Sequence, residues 1–183
     1  MQDEGLIKQA RGGDRAAFAM LVERHQSAVY GYLRARVLQS SDAEDMTQEV
    51  FLRFYLAQAR FDSAQMLRPW LLGIARNLLR EHARETKRRK EVTWTEMCLE
   101  LEELVGREHD AQEDVLAYLP ECLNQLGPSA REAIMLRYRN NLRLASIGVK
   151  LRRSEGAIKL LMFRARQALR NCLDLKMRSD VDA

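Results

Sequence analysis

The segment Leu142–Arg166, LRLASIGVKLRRSEGAIKLLMFRAR, restricts the fold of this chain more than any other feature. Apolar residues recur at helical spacing on both sides of a short break. This pattern predicts a helix of about two and a half turns, a three-residue turn and a second helix. Ser154 precedes the second helix and is a suitable N-cap. The spacing is that of a helix-turn-helix, a motif whose second helix enters the major groove of DNA.

The apolar periodicity assigns an inner and an outer face to these two helices. Packing is expected between two sets of three residues, Leu144, Ile147 and Leu151 in the first helix and Ile158, Leu161 and Met162 in the second. The outer face is then available for base edges, and its residues are Arg153, Glu155, Lys159 and Phe163. Beside it lie candidate phosphate contacts, Arg164, Arg166 and Arg170. An ordinary helical hairpin with a basic face is the alternative.

Charge is segregated along the chain, and this ordering favours DNA binding over that alternative. Residues 1–90 carry 16 Lys and Arg against 11 Asp and Glu, residues 91–127 carry 1 against 10, and residues 128–178 carry 13 against 3. Two basic segments on either side of an acidic one suggest two modules that each contact a polyanion. The acidic residues 91–112 are interpreted as a partly helical connector without a core of its own.

Helical periodicity extends over most of the rest of the chain, and only 3 prolines and 9 glycines interrupt it. Helices are predicted over residues 2–11, 14–36, 41–59 and 69–90 in the first half, and over 114–126, 129–138, 142–151 and 154–173 in the second. Asp14 is expected to cap the second helix, and Ser41 with Glu44 has the pattern of a capping box at the third. An all-α fold follows.

A basic ridge runs along the fourth predicted helix. Arginine recurs at every fourth position, as Arg76, Arg80, Arg84 and Arg88. The helix would be roughly 33 Å long, which is close to one turn of duplex DNA. Phe61, in the loop before this helix, is a candidate for stacking on a base, whereas Trp70 is expected in the core.

Acidic residues cluster in the first turns of the third predicted helix, at Asp42, Glu44, Asp45 and Glu49. A catalytic interpretation lacks a partner base, a metal-binding histidine and a phosphate-binding glycine loop. Helix capping is one structural interpretation. A surface for a partner helix, formed by Asp45, Gln48 and Leu52, is the other. The local sequence does not choose between these two.

The sequence predicts no metal site, no disulfide bond and no membrane-spanning segment. The three histidines have no metal-ligand spacing, and they are His25, His82 and His109. The three cysteines are far apart and are expected to be core or surface thiols, and they are Cys98, Cys122 and Cys172. No apolar run approaches the roughly 18 residues of a membrane span, so we expect a cytoplasmic protein. No cofactor is expected either.

Three blocks in this order, DAEDMTQEVFLRFY, RPWLLGIARNLLREHAR and LRLASIGVKLRRSEGAIKLLMFRARQAL, resemble the ECF-type (extracytoplasmic-function, group IV) sigma factors of bacterial RNA polymerase. The match covers nearly the whole chain. It implies a four-helix promoter-melting domain at residues 1–90, an acidic linker at 91–112 and a helix-turn-helix domain at 113–178. Such a protein is a monomer when free, catalyses no reaction itself and works when bound to core polymerase.

The resemblance also implies roles for individual residues. The clamp helices of the largest polymerase subunit would be contacted by Asp45, Gln48, Glu49 and Leu52. The minus-ten element would be bound by Phe61 and Asn77, with backbone contacts from Arg76, Arg80, Arg84 and Arg88. The minus-thirty-five element would be bound by Arg153, Ser154, Glu155, Lys159 and Phe163, with Arg164 and Arg166 beside them. The acidic linker would follow the RNA path of the polymerase.

Two positions depart from the family pattern. The first helix of the motif has Ser146 where a glutamate is usual, and the turn has Arg152 where a glycine is usual. If the turn needs a positive φ, arginine adopts it at an energetic cost. The resemblance makes promoter DNA and core polymerase the expected partners and an anti-sigma factor a candidate one. A repressor or activator that acts without polymerase, and a protein–protein adaptor, are the alternatives.

Overall fold

The computed structural model describes residues 2–62, 66–88, 94–106 and 115–181, and all regular structure in these ranges is helical. The helices are α1 (Asp3–Arg11), α2 (Arg15–Arg34), α3 (Ser40–Ala57), α4 (Leu67–Arg88), α5 (Trp94–Gly106), α6 (Leu119–Gln125), α7 (Pro128–Tyr138), α8 (Leu144–Leu151) and α9 (Glu155–Val181). Short 3₁₀ turns precede α4 and α6, at Gln58–Arg60 and Val115–Tyr118. The predicted all-α class is confirmed, and the chain forms two compact units, Met1–His82 and Ala83–Ala183.

Local sequence signals explain the start of α2 but not that of α3. The Asp14 carboxylate accepts the backbone N–H groups of Ala16 and Ala17 at 2.9 and 3.2 Å, as expected of an N-cap. The capping box predicted at Ser41 is wrong. Helix α3 begins one residue earlier, so Ser41 lies inside its first turn, and the side chain of the N-cap residue Gln39 makes no capping hydrogen bond.

An aromatic cluster forms part of the core of the first unit and joins α3 to α4. Ring centroids of Phe54 and Trp70 lie 5.6 Å apart, and Phe61 lies 6.1 Å from Phe54 and 5.3 Å from Trp70. All three pairs have edge-to-face geometry, which is favourable for aromatic side chains. The cluster holds the first turns of α4 against α3.

Helix α5 belongs to the second unit. It packs against α9 and buries one side, with Trp94, Cys98, Leu101 and Val105 among the buried residues. The prediction of a connector without a core is therefore wrong for Trp94–Gly106, because these apolar residues recur at helical spacing and their common face has a partner. Positions 91–93 and 107–112 of the predicted linker lie outside the described residues.

A disulfide bond within the second unit corrects the expectation of three separate thiols. Cys122 of α6 and Cys172 of α9 are bonded, with 5.7 Å between their Cα atoms, and they are 50 residues apart in the sequence. Packing of α6 on α9 brings them together, and their sequence spacing gives no sign of this. Cys98 is buried and takes no part in this bond, as expected of a core thiol.

In the described part of the chain, no helix has both the length and the apolar character that membrane crossing requires.

Candidate polymerase and DNA interfaces

An open apolar groove lies between α2 and α3 of the first unit. It has a volume of about 620 Å³ and is lined by Arg15, Phe18, Val22, Gln26, Thr47, Gln48, Phe51, Leu52 and Tyr55, and we call it the docking groove. Two of the predicted partner residues, Gln48 and Leu52, lie together in it, and the side chain of Leu52 is 53% exposed. Asp45 is exposed on α3 one turn before Gln48. The contribution of α2 was not expected from the sequence, because the two helices meet only in the folded unit.

Glu49 is directed elsewhere. Its carboxylate accepts a hydrogen bond from Nε of Arg53 at 2.8 Å, and Arg53 donates through Nη1 and Nη2 to Glu81 of α4 at 3.1 and 2.9 Å. Hydrogen bonds to Glu81 and then to Glu49 raise the pKa of Arg53. Glu49 therefore takes part in a link between α3 and α4 and does not line the docking groove.

A second groove lies along one side of α4. It has a volume of about 720 Å³ and is lined by Met66, Pro69, Trp70, Gly73, Ile74, Arg76, Asn77 and Arg80, and we call it the α4 groove. The structure brings together three predicted residues, Arg76, Asn77 and Arg80, and adds a half-buried Trp70. Trp70 was expected only in the core, yet it packs in the aromatic cluster and also lines the groove. An aromatic ring, an amide and two guanidinium groups suit a nucleotide base with its phosphates.

Phe61 does not serve as a stacking platform. Its side chain is only 2% exposed and packs against Phe54 and Trp70. The prediction for Phe61 is therefore wrong, because burial of a loop phenylalanine in an adjacent core removes both ring faces from a base.

The other two arginines of the predicted basic ridge lie further along α4. Arg84 is exposed one turn after Arg80. Arg88 is the last residue of α4, and its side chain lies outside the described residues.

The turn between α8 and α9 keeps a left-handed residue without glycine. Arg152 has φ 53° and ψ 46°. Its N–H bonds to the Val149 carbonyl at 3.3 Å, and the N–H of Arg153 bonds to the Gly148 carbonyl at 2.8 Å. These two bonds form a Schellman motif, which ends α8 and directs the chain into α9. Arg152 thus adopts the positive φ that glycine usually supplies at this position, and the turn keeps the hydrogen bonds of a Schellman motif.

Helix α9 presents an exposed face at its N-terminal end. The Ser154 hydroxyl accepts the Ala157 N–H at 3.1 Å, so Ser154 is the N-cap as predicted. Ile158 and Met162 are buried on the opposite side. The exposed set, which we call the outer face of α9, contains Glu155, Lys159, Leu160, Phe163 and Arg164, and Arg153 is exposed just before it. Lys159 and Glu155 are paired at 3.3 Å within this face.

Arg166 lies apart from the outer face. Its Nη1 is 3.5 Å from the Glu100 carboxylate of α5, and its cation acts on Tyr138 of α7. Burial raises the pKa of Tyr138 although the Arg166 cation opposes this shift. Arg166 is thus engaged between α5 and α7. The sequence gives no sign of this contact because Glu100 lies in the segment interpreted as a connector.

Two family models match the chain, the first in the segment with the two grooves and the second in the segment with the helix-turn-helix. Sigma-70 region 2 matches residues 21–89, which include most of the docking groove and the α4 groove. Sigma-70, region 4, matches residues 116–169, which include the helix-turn-helix.

Curated relatives extend this match over more than 90% of the chain. The ECF RNA polymerase sigma factor BldN of Streptomyces coelicolor is 33% identical over 92% of this chain, which spans 64% of the length of BldN. The ECF RNA polymerase sigma factor SigK of Mycobacterium tuberculosis is 29% identical, with 94% of each chain covered. The RNA polymerase sigma factor NccH of Alcaligenes xylosoxydans xylosoxydans is 30% identical, over 91% of this chain and 92% of NccH.

Solved structures with similar chains include an RsbN–BldN complex and CnrH in complex with the cytosolic domain of CnrY. The first has a TM-score of 0.40 and 27% identity, with 89% of this chain and 96% of that chain covered. The second has a TM-score of 0.45 and 26% identity, with coverage of 94% and 97%. On the sequence matches to the two sigma-70 regions and to full-length relatives, this chain belongs to the ECF family of RNA polymerase sigma factors.

Proposed function

We propose that this sigma factor divides promoter recognition between its two units, residues 1–82 and 83–183. The first unit would contact core polymerase through the docking groove and the minus-ten element through the α4 groove. The second unit would contact the minus-thirty-five element through the outer face of α9. The protein would act in the cytoplasm without catalysing a reaction of its own.

One observation carries this proposal. The chain has both a groove that combines Trp70, Asn77 and Arg80 and a capped helix whose outer face is partly basic. The groove suits a base that has left the duplex, because stacking, an amide and positive charge act together there. The helix suits intact duplex DNA, because it follows a helix-turn-helix turn. A regulator that only binds an operator needs the helix but not the groove.

The first test is titration of the full chain into bacterial core RNA polymerase, followed by selection of DNA fragments with the complex. We expect one-to-one binding and enrichment of a bipartite motif. Leu52→Ala removes an apolar side chain from the docking groove, and we expect a roughly tenfold loss of polymerase affinity. Met20→Ala is the control, because Met20 is exposed on α2 but does not line the groove. DNA retention without any polymerase binding would favour a stand-alone regulator.

The second test separates the two DNA surfaces. Asn77→Ala is expected to lower promoter opening, measured by the reactivity of unpaired thymines, with polymerase affinity unchanged. Arg153→Ala with Lys159→Ala is expected to weaken binding of the upstream element and to reduce the salt dependence of promoter binding by about two phosphate contacts at most. Loss of polymerase affinity in either variant would contradict the assigned roles.

A restraining anti-sigma factor is a further proposed partner. The docking groove is apolar and open, and Leu52 on its wall is largely exposed. Such a surface is covered in a stable complex. An anti-sigma factor that used this groove would compete with core polymerase, so displacement of one by the other in the same titration tests the assignment.

A further inference from the structure

Two apolar residues stand about half exposed on the outer face of α9. Leu160 is 49% exposed and Phe163 is 54% exposed. They are three residues apart and therefore neighbours on one side of the helix. Charged residues flank them, with Lys159 before Leu160 and Arg164 after Phe163.

The second unit has a core that does not need these two residues. The opposite side of α9 supplies the buried contacts, through Ile158, Met162, Ala165 and Leu169. Leu160 and Phe163 also lie within the first nine residues of the helix. This is the part of a recognition helix that approaches base edges in a helix-turn-helix complex. Their exposure therefore coincides with the position from which DNA is recognised.

Base edges in the major groove offer one apolar group, the C5-methyl of thymine. We propose that Leu160 and Phe163 recognise thymine methyl groups in the upstream promoter element. The proposal deepens the proposed function of α9 and rests on it. Lys159 and Arg164 would supply polar and phosphate contacts on either side, while the apolar pair supplies a preference for thymine over cytosine and over uracil.

Charge favours DNA over a protein as the occupant of this face. Residues 128–178 carry 13 basic residues against 3 acidic ones, and both charged neighbours of the apolar pair are basic. A protein partner that covered Leu160 and Phe163 would have to be acidic at its rim. DNA meets the same requirement at every phosphate, and it carries the methyl group between its phosphate backbones.

Deoxyuridine provides the test, because it pairs as thymidine does and lacks only the methyl group. The holoenzyme, formed from core polymerase and the full chain, first selects its upstream element from randomised duplex DNA. Each thymine of that element is then replaced singly by deoxyuridine. For at least one position we expect a roughly fourfold loss of affinity, the value for one buried methyl-sized group.

Two leucine variants of the same helix provide the matched comparison. At the thymine that Leu160 contacts, Leu160→Ala is expected to bind the thymine and deoxyuridine elements equally well. Leu175→Ala is the control, since Leu175 is 65% exposed on α9 but lies 15 residues further on, about 22 Å along the axis. This variant should keep the full preference for thymine. Unchanged circular dichroism in both variants establishes that α9 is intact.

The outcomes separate this inference from the function on which it rests. If no upstream motif is enriched, the role of α9 in promoter recognition fails, and the thymine proposal fails with it. If a motif is enriched but no deoxyuridine substitution weakens binding, only the thymine proposal is overturned. If Leu160→Ala lost the same affinity relative to wild type on the thymine and the deoxyuridine elements, the preference for thymine would not depend on Leu160, and the proposal would be overturned as well.

Discussion

Gly148 of α8 lies where the helix-turn-helix is most closely packed, and Gly148→Ala is expected to destabilise the second unit. A Cβ atom at this position would lie 2.6 Å from the backbone oxygen of Arg153. The Arg153 oxygen belongs to the main chain of the turn, so it cannot move aside as the end of a flexible side chain could. Relief of the contact requires α8 and the turn to move apart by several tenths of an ångström.

The cost follows from three contributions. Overpacking by one methyl group typically costs about 1–3 kcal/mol. The same movement strains the hydrogen bond from the Arg153 N–H to the Gly148 carbonyl, now 2.8 Å long and worth about 1 kcal/mol. Alanine returns about 1 kcal/mol through its higher helix propensity. We therefore expect the free energy of unfolding of the second unit to fall by about 2 kcal/mol.

Urea unfolding of the full chain measures this change. Trp94 is buried in the second unit, so its fluorescence in a Trp70→Phe background reports on that unit. Gly156→Ala is the matched control, because a Cβ there meets nothing within 4 Å and Gly156 lies in α9 of the same motif. That variant should be more stable by up to about 1 kcal/mol. Equal stability of the two variants would refute the argument from the close contact.

Three further changes test the structure of the two units. Cys172→Ser opens a cross-link between residues 50 apart, and the free energy of unfolding of the second unit should fall by about 4 kcal/mol in urea titrations. Reductant should destabilise the wild-type chain but not this variant. Arg152→Gly relieves a left-handed residue and should raise stability by up to about 1 kcal/mol in the same assay. Burial would raise the pKa of Asp3, but hydrogen bonds from Arg24 and His25 outweigh it and lower the pKa below 3.8. The stabilising effect of Asp3 should therefore be complete above pH 3.8 and lost as the pH falls through the lowered value. Asp3→Asn should be less stable than wild type at neutral pH and equally stable in strong acid.

Features that depend on neighbours within one helical turn were accessible from the sequence. The N-caps Asp14 and Ser154 each bond to a backbone N–H two or three residues later, so their effect is local. The inner face of the helix-turn-helix follows from apolar spacing in the same way, with Ile147 and Ile158 both fully buried. The capping box at Ser41 failed because α3 begins at Ser40, which places Ser41 inside the first turn rather than at the N-cap.

Features that depend on distant residues were not accessible. Phe61 and Trp70 are nine residues apart, and only the docking of α4 on α3 decides that the first is buried and the second faces a groove. Glu49 was assigned to polymerase contacts, but it accepts a hydrogen bond from Arg53. Arg53 also donates to Glu81 of another helix. A charged residue on a helix has the same local pattern whether its partner is solvent, DNA or another helix.

Local patterns in the chain were enough to predict the helical class, the order of the basic and acidic segments and the helix-turn-helix, and they also carried the resemblance to ECF sigma factors. The helical class, the charge order and the helix-turn-helix depend on composition or on spacing of three to four residues, which helix geometry converts directly into a face. The resemblance depends on the identity and order of three sequence blocks. Three features became visible only in the folded chain: the Cys122–Cys172 bond, the packing of α5 on α9 and the ion pair between Arg166 and Glu100. These contacts join residues 50 or more positions apart, and their energies depend on which helix faces meet, which no local pattern specifies.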